Sequence, residues 1–272
     1  MMITCGEVRS LRRRGCQVVA IGALLLTPAL ASAQTPSATS TYEQRGFVQI
    51  GGGAQSGSHT IASTSTFDIY GEQGSIAGTQ DYGGGAIWNI GGGVKVWKNL
   101  VATLNYTRNS DTMDTAVLAR VPHPLFLNRF REANQRVGGL KHTENAYHLA
   151  AMWMIPFGED LVLGVGAGPS FVSVGHEFAS SARIEESDAA PNFATVAIQD
   201  ITFSRGEKTA TTVNVGADLT YNLPFDLGDA GRVGATLGFR YAGGTVNLPG
   251  TTGNVDVKYG GVQFWGGLRV SF

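Results

Sequence analysis

The C-terminal stretch Val262-Gln263-Phe264-Trp265-Gly266-Gly267-Leu268-Arg269-Val270-Ser271-Phe272 decides how the rest of the chain is read. Val262, Phe264, Gly266, Leu268, Val270 and Phe272 fall on one face of an extended segment, and Gln263, Trp265, Gly267, Arg269 and Ser271 on the other. A strand of a soluble sandwich alternates in the same way but is nearer about 5–6 residues long. A tilted strand that crosses a bilayer needs about 9–11. The length and the terminal aromatic predict a membrane-crossing strand.

The same period recurs towards the N-terminus. Val233 to Tyr241, Val213 to Leu223, Leu161 to Ala167, Tyr147 to Ile155, Ala102 to Tyr106, Trp88 to Val96 and Val48 to Ile50 alternate with polar or small residues. Residues 44–70 read as one long first strand that projects past the membrane and is irregular between Gly57 and Ser63. It turns near Glu72-Gln73-Gly74 and returns through 75–97. Eight strands are preferred, with ten as the alternative, because bacterial single-chain barrels carry even counts. The predicted fold is all-β: a closed antiparallel transmembrane β-barrel, wound as an up-and-down meander. Alternate joints are short, at Lys98-Asn99, Pro156 to Asp160 and Pro224 to Ala230. The opposite joints are longer, at 119–141 and 179–207, with a short one near 248–254. That asymmetry predicts a Gram-negative outer-membrane location with both barrel ends periplasmic. Trp88, Trp97, Tyr106, Tyr147, Trp153, Phe157, Tyr221, Phe225, Tyr241 and Phe272 cluster near the expected rims, where amphipathic rings favour the headgroup zone.

Composition agrees. Only 15% of the 272 residues are charged, 38 are glycine, and the formal net charge of -1 excludes the basic excess of a general nucleic-acid binder. Arg9, Arg12, Arg13 and Arg14, the apolar run Val18 to Leu26 and the small residues Ala31-Ser32-Ala33 have the layout of a cleaved secretory signal. Residues 1–33 are therefore expected to be a signal peptide, 34–43 a short periplasmic segment and 44–272 the barrel. Cys5 and Cys16 leave with the leader, so neither a disulfide nor a thiolate metal site is expected.

At Gly91-Gly92-Gly93-Val94-Lys95-Val96-Trp97-Lys98-Asn99-Leu100, Val215-Gly216-Ala217-Asp218 and Gly266 to Phe272, the chain resembles small bacterial outer-membrane barrels of the OmpA-like barrel domain group. The resemblance implies that the terminal Phe272 serves as an assembly signal for the barrel-assembly machinery. It also implies contact with outer-membrane lipid and lipopolysaccharide, and a role that is structural, adhesive or that of a narrow channel. The chain is expected to lack a peptidoglycan-binding domain, so that function is not carried over.

An eight-strand lumen holds only its own side chains or a small ligand. The inward-facing Lys95, Glu144, Asp218, Arg232, Arg240 and Arg269, with His148 in register, are expected to form an internal network of salt bridges and hydrogen bonds, because isolated buried charges are costly. Phe126, Arg129, Phe130 and Arg131 mark a candidate surface-interaction loop. The 183–189 stretch reads as a solvated acidic loop. No catalytic spacing is found: neither His148-Leu149-Ala150 nor His176-Glu177-Phe178 places a histidine and a serine two apart on one strand. The reading is a monomeric, non-enzymatic barrel without a cofactor, with an extracellular ligand unassigned. A narrow channel for ions or small solutes is the alternative, and a lipid-modifying enzyme ranks below both.

Overall fold

The computed structural model describes residues 41–187, 192–228, 231–250 and 253–272. The expected leader, 1–33, lies outside them, as do residues 34–40 of the expected N-terminal segment. Ten antiparallel strands follow one another: β1 (Gly46–Ser56), β2 (His59–Ile69), β3 (Glu72–Tyr82), β4 (Gly85–Trp97), β5 (Leu100–Pro122), β6 (Phe130–Phe157), β7 (Leu161–Glu186), β8 (Val196–Asp226), β9 (Arg232–Pro249) and β10 (Asn254–Ser271).

Eight of them close a ring. β1 pairs with β4 on one side and with β10 on the other, while β4 through β10 pair in sequence. The closing register runs from Phe47 opposite Ser271 to Ser56 opposite Val262. β2 and β3 pair with each other, and β3 pairs with the outer part of β5 through Ser75–Gln80. They continue β1 and β4 beyond the breaks at Gly57-Ser58 and Gly83-Gly84, so the expected long first strand is a strand, a break and a second strand. The hairpin turns at Tyr70-Gly71 rather than at 72–74. Both residues have positive φ, 54° and 76°, which is the type I′ geometry that matches strand twist in a two-residue turn.

One alternation serves two solvents. Along β5 the odd residues face inward throughout, but their chemistry changes with height. Thr103, Asn105, Thr107 and Asn109 are buried polar groups, whereas Met113, Val117, Ala119 and Val121 are buried apolar ones. Outward, Leu104 and Tyr106 give way to Arg108, Ser110 and Thr112. The other ring strands change at the same level. Val48, Ile90, Leu149, Leu219, Leu237, Phe264 and Leu268 are exposed around the ring, while Lys141, Glu207, Asp256 and Lys258 are exposed above it. A lipid-facing band with a polar interior therefore passes into a water-facing extension with an apolar interior. Trp97, Trp153, Phe157, Tyr221 and Phe272 edge the band on the turn side, and Trp88, Tyr106, Tyr147 and Phe171 edge it on the other. A closed, hydrogen-bonded ring wearing such a band is the fold of an integral membrane β-barrel.

The extension holds two apolar clusters. Ile61 of β2 packs with Val172, Val174, Phe178, Val246, Leu248, Val257 and Tyr259, and Ile76 of β3 with Val117, Ala119, Val121, Ala179 and Ile201. The β2–β3 hairpin is thereby bound to the mouth of the ring, with Ser65 Oγ donating to the carbonyl of Ala179 at 3.2 Å. These inward apolar positions also correct two expected loops. The expected 119–141 loop shrinks to 123–129, and most of the expected 179–207 loop is strand, β7 running to Glu186 and β8 starting at Val196, because inward apolar residues continue past the membrane on both hairpins across register shifts. Arg183–Glu186, read as part of an acidic loop, belong to β7.

Trp265 faces inward and lies against Gly238 on β9, where an added Cβ would stand 2.1 Å from Trp265 Cε2. Gly238→Val should displace that ring and destabilise the barrel by about 1–3 kcal/mol, read as a lower midpoint for loss of the heat-modifiable folded band.

Candidate functional site

From the turn end upward, the lumen is filled in layers. Tyr42 is buried among Phe47, Val101, Met152, Met154 and Val162. Its backbone N–H donates to Asn99 Oδ1 at 3.1 Å, and its carbonyl accepts from Lys95 Nζ. The expected periplasmic segment thus places at least Tyr42 inside the barrel end. Arg232, although in an inward register opposite Ser271, is exposed at the same end.

The next layer brings together two of the residues expected to share a lumen network. Arg269 Nη2 lies 3.0 Å from Asp218 Oδ2. Arg269 also donates to Gln49 Oε1 from Nε at 3.0 Å and Nη2 at 2.6 Å, and stacks 4.0 Å from the centre of the Phe47 ring. Gln49 Nε2 donates in turn to Asn105 Oδ1 at 2.7 Å. Arg240 is buried beside Asp218 and is not among the ion pairs of the described residues.

Above it, His148 Nδ1 lies 2.7 Å from Ser170 Oγ and His148 Nε2 lies 2.9 Å from Thr107 Oγ1. Asn214 Nδ2 donates to Ser170 Oγ at 2.8 Å. Searching single strands for a histidine and serine missed this pair, because the two face each other across β6 and β7 in direct register. Ser170 is 0% exposed and His148 1%, and the other ring nitrogen of His148 meets a threonine rather than a carboxylate.

Glu144 belongs to a separate cluster at the neck between band and extension. Its carboxylate accepts from Gln55 Nε2 at 2.8 Å and from the Gly260 N–H at 3.0 Å, and lies 2.9 Å from His142 Nε2. His142 Nδ1 faces His176 Nδ1 at 3.1 Å. The Tyr82 ring stacks against His59 and His142, and its hydroxyl accepts from Asn109 Nδ2 at 3.0 Å. Burial pushes His176 down to about 3, reinforced by His142, His59 and Arg205, and burial also lowers His59. Among the described residues, no group of three or more His, Cys, Asp or Glu side chains has metal-binding geometry.

At the outer tip the candidate loop divides. Leu125, Phe126 and Leu127 are exposed, Leu127 at 78%. The Arg129 guanidinium lies 5.6 Å from the Phe126 ring, and that of Arg120 4.4 Å from the Phe130 ring. Arg131 points inward instead. It pairs with Glu186 and donates to the carbonyls of Pro122 at 2.9 Å and Phe193 at 3.0 Å, so it ties the two outer hairpins together and presents no charge to a partner. That hydrogen bond is the main reason the Glu186 carboxyl sits below its ordinary range.

The uncharged lumen residues Gln49, Gln55, Asn105, Ser170, Asn214 and Gln263 were not singled out by sequence reasoning. The available signal was amide and hydroxyl side chains on the inward phase, which a search for charges passes over.

Comparison with family models and with curated proteins returns no match. Among solved structures the chain is similar to Neisserial surface protein A, at 15% identity over 84% of this chain and 97% of that one, with a TM-score of 0.38. It is similar to the outer membrane protein OprG of Pseudomonas aeruginosa at 9% identity, over 85% and 97%, with a TM-score of 0.41. A third similarity is to the outer membrane protease OmpT of Escherichia coli, at 8% identity over 88% and 100%, with a TM-score of 0.40.

Two outcomes are expected. Arg269→Met leaves Asp218 with Arg240 as its remaining cation, whereas Arg269→Met with Asp218→Asn strands the Arg240 guanidinium, so the double variant should be the less stable by about 3 kcal/mol or more; urea unfolding in detergent micelles compares them. His176 stays neutral in the folded chain while the unfolded chain takes up its proton below about pH 6.5, so its contribution to stability falls as pH drops from there towards 3. Amide protection factors in the extension, taken relative to the intrinsic exchange rate at each pH, should fall between pH 7 and pH 4, and His176→Leu should blunt that dependence.

Proposed function

We propose that the protein is an integral barrel of the Gram-negative outer membrane with a structural or surface-interaction role, a lumen closed by its own side chains and no catalytic activity. The observation that carries the reading is the layered fill of the ring: the cavity at mid-membrane level, bordered by Gln49, Asn105, Asn214 and Arg240, is about 20 Å³. Such a volume admits about one water molecule, since a water needs about 10–15 Å³. The Ser170–His148 pair is buried, which supports the non-enzymatic reading.

The orientation that fits is with Tyr42 and Phe272 towards the periplasm and the extension outside. Phe272 is the residue offered to the barrel-assembly machinery, and the barrel acts as a monomer. Outside, Arg120 and Arg129 with the apolar tip Leu125-Phe126-Leu127 suit lipopolysaccharide phosphates or an extracellular ligand.

Purified protein in planar lipid should give no solute-dependent openings. Reproducible openings would replace this reading with a narrow channel, and lipid A whose profile changes on expression would replace it with a lipid-modifying enzyme.

A further inference from the structure

Among the described residues, the membrane-level lumen holds two guanidinium groups, of Arg240 and Arg269, and one carboxylate, of Asp218. Asp218 commits Oδ2 to Arg269. Arg240 is nearly as buried, at 7% exposure, yet among the described residues no carboxylate lies within ion-pair distance of it, and its Nη1 has no hydrogen-bond partner. Asp218 Oδ1 is also without a partner. Turning Arg240 onto that oxygen would make one carboxylate serve two cations and leave the same excess positive charge.

Among the described residues, no carboxylate is paired with Arg240. Glu144 lies one layer outward and is engaged by Gln55, His142 and Gly260. His148 can only add positive charge, and Lys95 and Arg232 bring further cations at the turn end. Arginine does not release its proton in proteins, and an uncompensated charge at membrane depth is costly.

The cavity of about 20 Å³ borders Arg240, with Asn105, Asn214, Asp218 and Trp265 in its wall. It is large enough for one particle about the size of a water molecule, which a halide approaches in size. We propose that this cavity binds one monovalent, halide-sized anion, with the Arg240 guanidinium as its main ligand, as a structural counter-ion that balances the Arg240–Asp218–Arg269 group.

The test follows thermal unfolding of the purified barrel in sodium bromide against sodium gluconate at constant ionic strength. The wild type should show a midpoint that rises saturably with bromide. Arg240→Gln, confirmed as folded by heat-modifiable migration, should lose that rise, while Asp218→Asn should reach half-maximal stabilisation at a lower bromide concentration. No bromide-dependent rise in the wild type, or an equal rise in Arg240→Gln, would overturn the proposal. If Arg240→Gln does not fold, anomalous scattering from wild-type crystals grown in bromide decides. A peak within hydrogen-bonding distance of the Arg240 guanidinium supports the site, and an ordinary water there, with bromide only at the surface, overturns it.

Discussion

Hydrocarbon provides no partner for a backbone N–H or C=O, so each such group at membrane depth has to find one in the sheet. In this chain that requirement is met by joining β1 to β10, the first and last strands, along Phe47 to Ser56. The joint is tight. Gly51 and Gly52 stand opposite Gly267 and Gly266, and a Cβ at Gly267 would sit 2.1 Å from the carbonyl oxygen of Ile50. Closure with only eight strands sets the bore, and the bore dictates the contents: long amides and guanidiniums that reach across and hydrogen-bond one another in place of water.

The fill is mostly neutral. Gln49 to Asn105, Gln263 to Gln55 and Asn214 to Ser170 are cross-strand hydrogen bonds between residues distant in sequence. Neutral pairs avoid the desolvation cost that accompanies every buried ion, and the Arg269–Asp218 contact is reinforced by Gln49 and the face of Phe47. The lumen is therefore better described as a hydrogen-bonded interior than as a column of salt bridges.

Much of this was legible from alternation alone. Leu268 and Phe264 outward with Arg269 and Gln263 inward is a local property of a strand, and it survives folding unchanged. The even ring count and the short turns followed from it. What the chain does beyond the membrane was less legible, because the inward positions of β5 change from Asn and Thr to Val and Ala without changing phase, while β6 switches its inward phase across the irregularity at Gly138-Gly139; long strands there read as loops. Site partners were hardest. His148 meets Ser170, and Arg131 meets Glu186, only through the register of neighbouring or facing strands. Spacing within one strand carries no trace of that register, and a charge such as Arg240 reveals no missing partner until its surroundings are known.

The change of polarity along each strand has a thermodynamic consequence. The extension buries Ile61, Phe178 and Leu248 away from water, so its unfolding carries the positive heat capacity and temperature-dependent enthalpy of an ordinary soluble domain. The ring exposes its apolar residues to lipid in its native state and gains nothing by hiding them from water within the protein. One continuous sheet is thus held together by two driving forces with different temperature dependences, and its extension and its ring behave as a soluble protein and a membrane protein sharing the same strands.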